Sequence, residues 1–290
     1  MGGIIDKITE FIKELLQGWG LTNFETMFTD VNDKVGTIAG EVSKTPSTWN
    51  SGIFDMIKTL SDNVMIPIAG MIISFVLVYE LISMVIDKNN LHDFNTAIFI
   101  RFFMKACIAV MLLSKTFDIV MAVFDVGSHI VNSAAAAISG ETSIDVSSTL
   151  QTMFNEQFSE MSIGELLGLG METMIVSLCM KIMSVLITVI LYGRMIEIYL
   201  YVSVAPVPCA TVTNREWGTI GTNYFKGLCA LAFQGFFMMV CVAIYAVLVA
   251  GVAVSDNLHT ALWSVAAYTV ILCFSLFKTG SLSKSIWNAH

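Results

Sequence analysis

Leu228 to Val254 reads LCALAFQGFFMMVCVAIYAVLVAGVAV, 27 residues without one Asp, Glu, Lys or Arg. A helix of about 20 mostly apolar residues crosses the hydrocarbon core of a bilayer, so this run predicts a membrane-spanning helix. Four further runs meet the same test: Val64 to Ile86, Ala97 to Phe124, Leu167 to Tyr192 and Ala261 to Phe277. The composition agrees, with 56% hydrophobic and 13% charged residues, where soluble chains carry roughly 25% charged. The expectation is an all-α, polytopic helical membrane protein with about five transmembrane helices. A sixth run, Met195 to Val212, begins beside Arg194 and Glu197 and contains Ala205-Pro206-Val207-Pro208. Pro206 and Pro208 remove backbone donors and break the helix, leaving three readings: the segment spans, re-enters, or extends the preceding helix.

Lys and Arg collect in short cytoplasmic loops, and their placement predicts an orientation. Between Lys115 and Lys181 there is no Lys or Arg, while Asp118, Asp125, Glu141, Asp145, Glu156, Glu160, Glu165 and Glu172 all fall there. That long loop reads as outside, and so does the loop from Asp256 to His259. Lys88, Arg101, Lys105, Arg194, Arg215, Lys226, Lys278 and Lys284 mark the opposite ends as cytoplasmic. With Arg194 and Arg215 on one side, the proline segment crosses zero times or twice, and it is too short to cross twice. The reading is a multi-pass protein of the cytoplasmic membrane, N-terminus outside and C-terminus inside. Lys7, Lys13, Lys34, Lys44 and Lys58 in the outside N-terminal region run against the rule; nine acids there dilute that signal without cancelling it.

The chain divides into an N-terminal region at 1–62, a first transmembrane hairpin at 63–125, an extracytoplasmic loop at 126–166, and a transmembrane core at 167–290 that includes the proline-containing segment at 195–227. Ile4, Ile5, Ile8, Phe11, Ile12, Leu15, Leu16 and Trp19 recur at helical spacing with charged residues opposite. This amphipathic helix either lies in the lipid headgroups or packs on a partner protein. Polar sequence follows from Gly20 to Ser51, then a short amphipathic run through Ile53, Phe54, Ile57 and Leu60. No processed leader is expected, because Asp6 interrupts any apolar stretch and the first residues carry no Lys or Arg. The outside loop opens on small residues, Ser133, Ala134 to Ala137 and Gly140, and continues into an apolar helical face at Leu150, Met153, Phe154, Phe158 and Met161. Long loops are more often functional than idle, which makes this one a candidate contact surface.

An ion inside the bilayer needs a partner, water or a function. Glu80 lies near the cytoplasmic end of the first span and Lys105 inside the second, so antiparallel helices bring them to similar depth, either as a structural pair or lining a water-filled path. Lys181, near the middle of the third span, has no sequence-evident mate. It snorkels, meets a charge from another subunit, or lines a polar path. Arg194 and Glu197 stand at i, i+3 and are expected to pair locally. Cys107, Cys179, Cys209, Cys229, Cys241 and Cys273 are isolated in apolar sequence and read as small hydrophobes rather than disulfides or metal ligands. There is no phosphate-binding loop, metalloprotease motif or serine-nucleophile elbow, so no enzyme activity, cofactor or metal is expected. The net charge of -8 excludes a basic footprint for duplex DNA.

The stretch Met180-Lys181-Ile182-Met183-Ser184-Val185-Leu186, continuing through Tyr192-Gly193-Arg194-Met195-Ile196-Glu197-Ile198-Tyr199 to Ala205-Pro206-Val207-Pro208, resembles the TrbL-like polytopic membrane protein of conjugative type IV secretion systems. It looks most like the branch found on integrative conjugative elements of Gram-positive bacteria. Asn214-Arg215-Glu216-Trp217-Gly218, Ala232-Phe233-Gln234-Gly235-Phe236-Phe237 and the tail Phe277 to Lys284 fit the same pattern. The likeness runs along the whole chain and is most specific between Lys181 and Phe237. It implies a channel or scaffold subunit in a homo-oligomeric ring around the path of transferred DNA and protein, with cytoplasmic ATPases and a coupling protein supplying substrate and energy. A path for single-stranded DNA should be positive. Either Arg101, Lys105, Arg194, Arg215 and Lys226 at the cytoplasmic mouth make a transient contact, or a neighbouring subunit does. The Pro206/Pro208 break also suits the substrate site of a stand-alone transporter or ion channel, the rival reading.

Overall fold

A computed structural model describes residues 2–86, 96–138, 161–252 and 257–289. Among these residues the fold is all-α with no strand: α1 (Gly2–Ser43), α2 (Pro46–Trp49), α3 (Ser51–Leu60), a π-helical turn (Ser61–Met65), α4 (Ile66–Ile86), α5 (Thr96–Ser114), α6 (Thr116–Ile138), α7 (Ile163–Val204), α8 (Pro206–Cys209), α9 (Gly218–Val252) and α10 (Leu258–Ile286). Among the described residues, five helical stretches are long and apolar enough to cross a membrane: Ser51–Ile86, Thr116–Ile138, Ile163–Val204, Gly218–Val252 and Leu258–Ile286. Their outward side chains are apolar, with Met71, Val126, Val185 and Phe277 all more than half exposed. Such surface is stable against lipid and a liability in water.

Two boundaries depart from the sequence reading, and a third segment takes one of the alternatives that reading left open. First, the helix that begins at Gly2 does not stop after Trp19 but runs to Ser43. Met27, Val31, Ile38 and Val42 form its buried stripe, at spacings of four, seven and four. Thr22, Thr26 and Thr29 turn their hydroxyls onto the carbonyls of Gly18, Thr22 and Glu25 at 2.7–2.9 Å, so polar side chains are accommodated without breaking the ladder. Second, the run from Ala97 to Phe124 is divided at Lys115, and its second part continues to Ile138. Backbone bonds Lys115 N to Met111 O at 3.1 Å and Ile119 N to Lys115 O at 3.0 Å carry the helix through the joint. Ala134 to Ala137, read above as the start of a loop, are strong helix formers and lie in α6. The candidate contact surface at Leu150, Met153, Phe154 and Phe158 lies outside the described residues. Third, the proline segment extends the preceding helix: α7 reaches Val204, and α8 follows with Cys209 N bonded to Ala205 O at 3.2 Å and Ala210 N to Pro206 O at 3.0 Å.

The chain divides into two compact units. One comprises Met1–Val42, Asn132–Leu191 and Phe237–Lys278. Within it α1 runs beside the first part of α7: an added Cβ on Gly170 would lie 2.1 Å from the Trp19 ring, and Asn23 Nδ2 donates to Thr173 Oγ1 at 3.4 Å. Tyr245 and Thr269 join α9 to α10 through their hydroxyls at 2.8 Å. Near the start of α10, His259 Nδ1 meets the Glu172 carboxylate at 2.7 Å.

The other unit comprises Ser43–Val131, Tyr192–Phe236 and Thr279–His290. Its corner at α2 is built by capping: Thr48 Oγ1 accepts the Thr45 N–H at 3.0 Å, Pro46 occupies the first turn, and the Asn50 side chain accepts the Ile53 N–H at 3.0 Å. Tyr199 reaches the corner with its hydroxyl, 2.7 Å from the Pro46 carbonyl. The π-helical turn ends two residues before Pro67. A proline there removes the bond to the carbonyl four residues back and crowds it, and a widened turn is one way a helix relieves this. Val120, Phe124, Ile198, Val202 and Leu231 form the core between α6, α7 and α9, while Ala69, Ile73, Ala109, Leu113 and Ala210 join α4, α5 and the end of the proline segment.

Candidate functional site

The polar groups that matter are those the helices hide. Glu80 on α4 is buried and accepts a hydrogen bond from Lys105 on α5, an ion pair that corresponds to one of the two readings their similar depth allowed. Its second oxygen accepts from Asn214 Nδ2 at 3.2 Å. Asn214 in turn shapes the turn before α9, because its Oδ1 accepts the backbone N–H groups of Glu216 at 2.8 Å and Trp217 at 2.9 Å. The same turn is pinned twice more. Tyr79 donates to Glu216 at 2.7 Å, and the Trp217 ring stacks on Phe75 and Tyr79 with centroids 5.5 and 5.6 Å away. The Glu80 carboxylate thus ties α4 and α5 to the segment that follows the prolines, and Tyr79 and Trp217 reinforce the join.

Arg194 and Glu197 make no direct ion pair, although the Glu197 carboxylate still attracts the guanidinium through space. Glu197 instead binds Lys284 of α10 at 2.7 Å, and the buried Arg194 guanidinium turns to α9, where Nη2 lies 3.5 Å from the Leu231 carbonyl. Successive helical turns put both residues on one face, but a lysine from another helix reaches the carboxylate first. Arg194 Nε and Gln234 Oε1 are buried without hydrogen-bond partners. Gln234 Nε2 is 3.4 Å from Thr279 Oγ1, so polar groups of α9 and α10 meet one turn from the arginine's acceptor. Buried polar groups left unpartnered are costly, and of the two buried charges described in this unit, Glu80 and Arg194, Arg194 has the fewer hydrogen bonds.

Lys181 on α7 is exposed and lines a recess of about 280 Å³ whose other walls include Asp30, Asp33, Lys34, Ser184 and Thr188. Lys34 is the buried member. Its ammonium donates to the Met180 carbonyl at 3.2 Å, and burial pushes its pKa below the ordinary lysine value of 10.5 while Asp30 opposes that.

Of the remaining basic residues singled out by sequence, Arg101 and Arg215 are exposed and Lys226 is half-buried. Lys105 and Arg194 are turned to protein partners. Pro206 and Pro208 are buried within the helical extension. The six cysteines are free thiols, and burial raises that of Cys209 to about 11, with a hydrogen bond to Thr116 opposing. Asn214, Lys34, Gln234 and Lys284 are named in the sequence reading for topology or resemblance, but not as site residues. Gln234 had a visible signal, as a polar residue inside a charge-free run; Lys34 had none, being one polar residue among many.

These features define a class first: a multi-pass, all-α membrane protein whose helices are joined by buried polar groups. The chain belongs to the family described as TrbL/VirB6 plasmid conjugal transfer like protein, whose family model matches residues 31–206. The match takes in Glu80, Lys105, Lys181, Arg194 and Glu197 and ends before Asn214 and Gln234. No curated protein and no solved structure matches the chain.

Proposed function

We propose that the chain is a membrane channel or scaffold subunit of a conjugative type IV secretion system, helping DNA with its attached protein across the cytoplasmic membrane. The observation that carries this reading is membership of the TrbL/VirB6 family over residues 31–206. Five helices suited to crossing a bilayer and a buried polar scaffold support it. The subunit acts without catalysis or cofactor of its own, as one copy in a homo-oligomeric ring surrounded by membrane lipid and served by cytoplasmic ATPases and a coupling protein. Its N-terminus lies outside and its C-terminus in the cytoplasm, which reporter fusions at the two ends test. Contact with single-stranded DNA falls to the exposed Arg101 and Arg215 and to Lys226. Membership of the integrative-element branch requires genes for a coupling ATPase and a relaxase beside this one.

The deciding experiment is mating frequency from a donor with an in-frame deletion of the gene, with and without the gene restored in trans. Loss of transfer that the restored gene rescues is the expected result. Undiminished transfer overturns the reading, and solute flux through the purified chain in vesicles then becomes the test of a stand-alone transporter or ion channel.

A further inference from the structure

Two facts about the unit that contains α1 and the first part of α7 do not fit a helix pair solvated by lipid alone. The recess beside Lys181 carries two carboxylates and two ammonium groups, Asp30, Asp33, Lys34 and Lys181, with the hydroxyls of Ser184 and Thr188. All stand alongside the third apolar run. Its volume of about 280 Å³ has room for several waters, and its walls supply the polar partners that buried water needs. The second fact is the outer face of α1. Thr22, Glu25, Thr26, Thr29, Asp33 and Thr37 are exposed in one helical stripe. Threonine hydroxyls bonded back to the helix tolerate lipid, but exposed carboxylates do not. On α7 the contrast is sharp: Leu178, Ile182 and Val185 are 61%, 51% and 63% exposed, a face suited to acyl chains.

We infer that the recess between α1 and α7 is filled with water and opens along the polar stripe of α1, so that Lys181 is a hydrated wall residue of an aqueous path. This rests on the channel reading for its purpose and not for its test. Lys181 then neither snorkels nor waits for another subunit; the carboxylates of its own chain and water solvate it. Asp30 and Asp33 balance Lys34 and Lys181, which leaves a polar wall with little net charge.

The test is cysteine accessibility in native membranes. Ser184→Cys, Thr188→Cys and Lys181→Cys report the recess; Leu178→Cys, Ile182→Cys and Val185→Cys report the apolar face of the same helix. A small charged methanethiosulfonate reacts with the thiolate, which forms in water and not in hydrocarbon. The recess positions should therefore react about 50-fold faster than the apolar ones. Modification is read by mass on the substituted peptide, so the native cysteines do not interfere. A maleimide carried on a bulky polymer should leave the recess positions unmodified. Slow reaction at all six positions overturns the inference, because lipid or a partner protein then covers the recess. Modification of the recess positions by both reagents overturns it too, because the surface is then open rather than recessed. Neither readout depends on DNA transfer. A strain lacking the gene that still mates would remove the secretion reading and leave the aqueous recess standing.

Discussion

Glu80 and Lys105 stabilise the hairpin only as a pair, and each is harmful alone. Lys105→Met leaves a buried carboxylate with one amide donor, and Glu80→Gln leaves an ammonium that reaches water, its side chain being 43% exposed. The first substitution should cost about 3 kcal/mol and the second about 1–2 kcal/mol. The double variant should fall short of their sum by about 1 kcal/mol or more, read by thermal unfolding in detergent; additive losses would mean that the pair contributes nothing. Arg194 is the opposite case. With one bond at 3.5 Å and Nε unpartnered, it returns little for its desolvation, and Arg194→Met should hold or raise the melting temperature. A clear drop would mean that the attraction of Glu197, or an acceptor beyond these helices, offsets the desolvation. Lys34 sets a pH dependence. Burial lowers its folded pKa below 10.5, so as pH rises from that lowered value towards 10.5 the folded state sheds the proton before the unfolded chain does. Stability from this group therefore rises across that window. Any gain from Lys34→Met should be largest near neutral pH and shrink as 10.5 is approached, as melting curves over pH would record.

At the scale of elements, close approach decides which helices join. Gly221, in the first turn of α9, faces the end of α8: an added Cβ would lie 2.6 Å from the Pro208 carbonyl and 2.2 Å from Val212 Cγ2. The carbonyl belongs to backbone already held by proline, so it yields little. Gly221→Ala should destabilise by about 1–3 kcal/mol, whereas Gly251→Ala, with nothing within 4 Å, should be neutral or stabilising by up to about 1 kcal/mol. Equal effects in unfolding assays would sink the assignment of Gly221 to the contact. The elements also differ in how far they could be read from sequence. The run from Leu228 to Val254 declares itself, since no other structure suits 27 uncharged residues. Glu80 and Lys105 were legible for a similar reason: two charges in adjacent apolar runs have few places to go. The second half of α1 was not, because its buried stripe from Met27 to Val42 is one residue wide and carries Lys34, while threonines that look like loop sequence close bonds onto their own helix. Asn214 was hidden by distance, meeting Glu80 from 134 positions away. Arg194 and Glu197 were misread because periodicity knows only the residues of one helix, and Lys284 arrives from another.

For the whole molecule, the net charge of -8 constrains what a transfer path along this chain can be. Of the five basic residues placed at the cytoplasmic mouth, Lys105 is bound to Glu80 and Arg194 is buried against a carbonyl. A positive groove tracking single-stranded DNA needs more cations than the exposed Arg101 and Arg215 and the half-buried Lys226 provide. The subunit therefore suits the role of a wall that keeps water beside the path better than that of a surface gripping the phosphate backbone. Lys181 separates these roles. If its charge keeps the recess hydrated, Lys181→Arg preserves the cation and Lys181→Leu replaces it with a side chain that lipid or a neighbouring helix will cover. Mating frequency should then fall more in the leucine variant than in the arginine variant, with both proteins present in the membrane at the level of the parent. Equal transfer in the two strains would reduce Lys181 to an ordinary snorkelling lysine, and the proposed path would then have to run along another face of the chain.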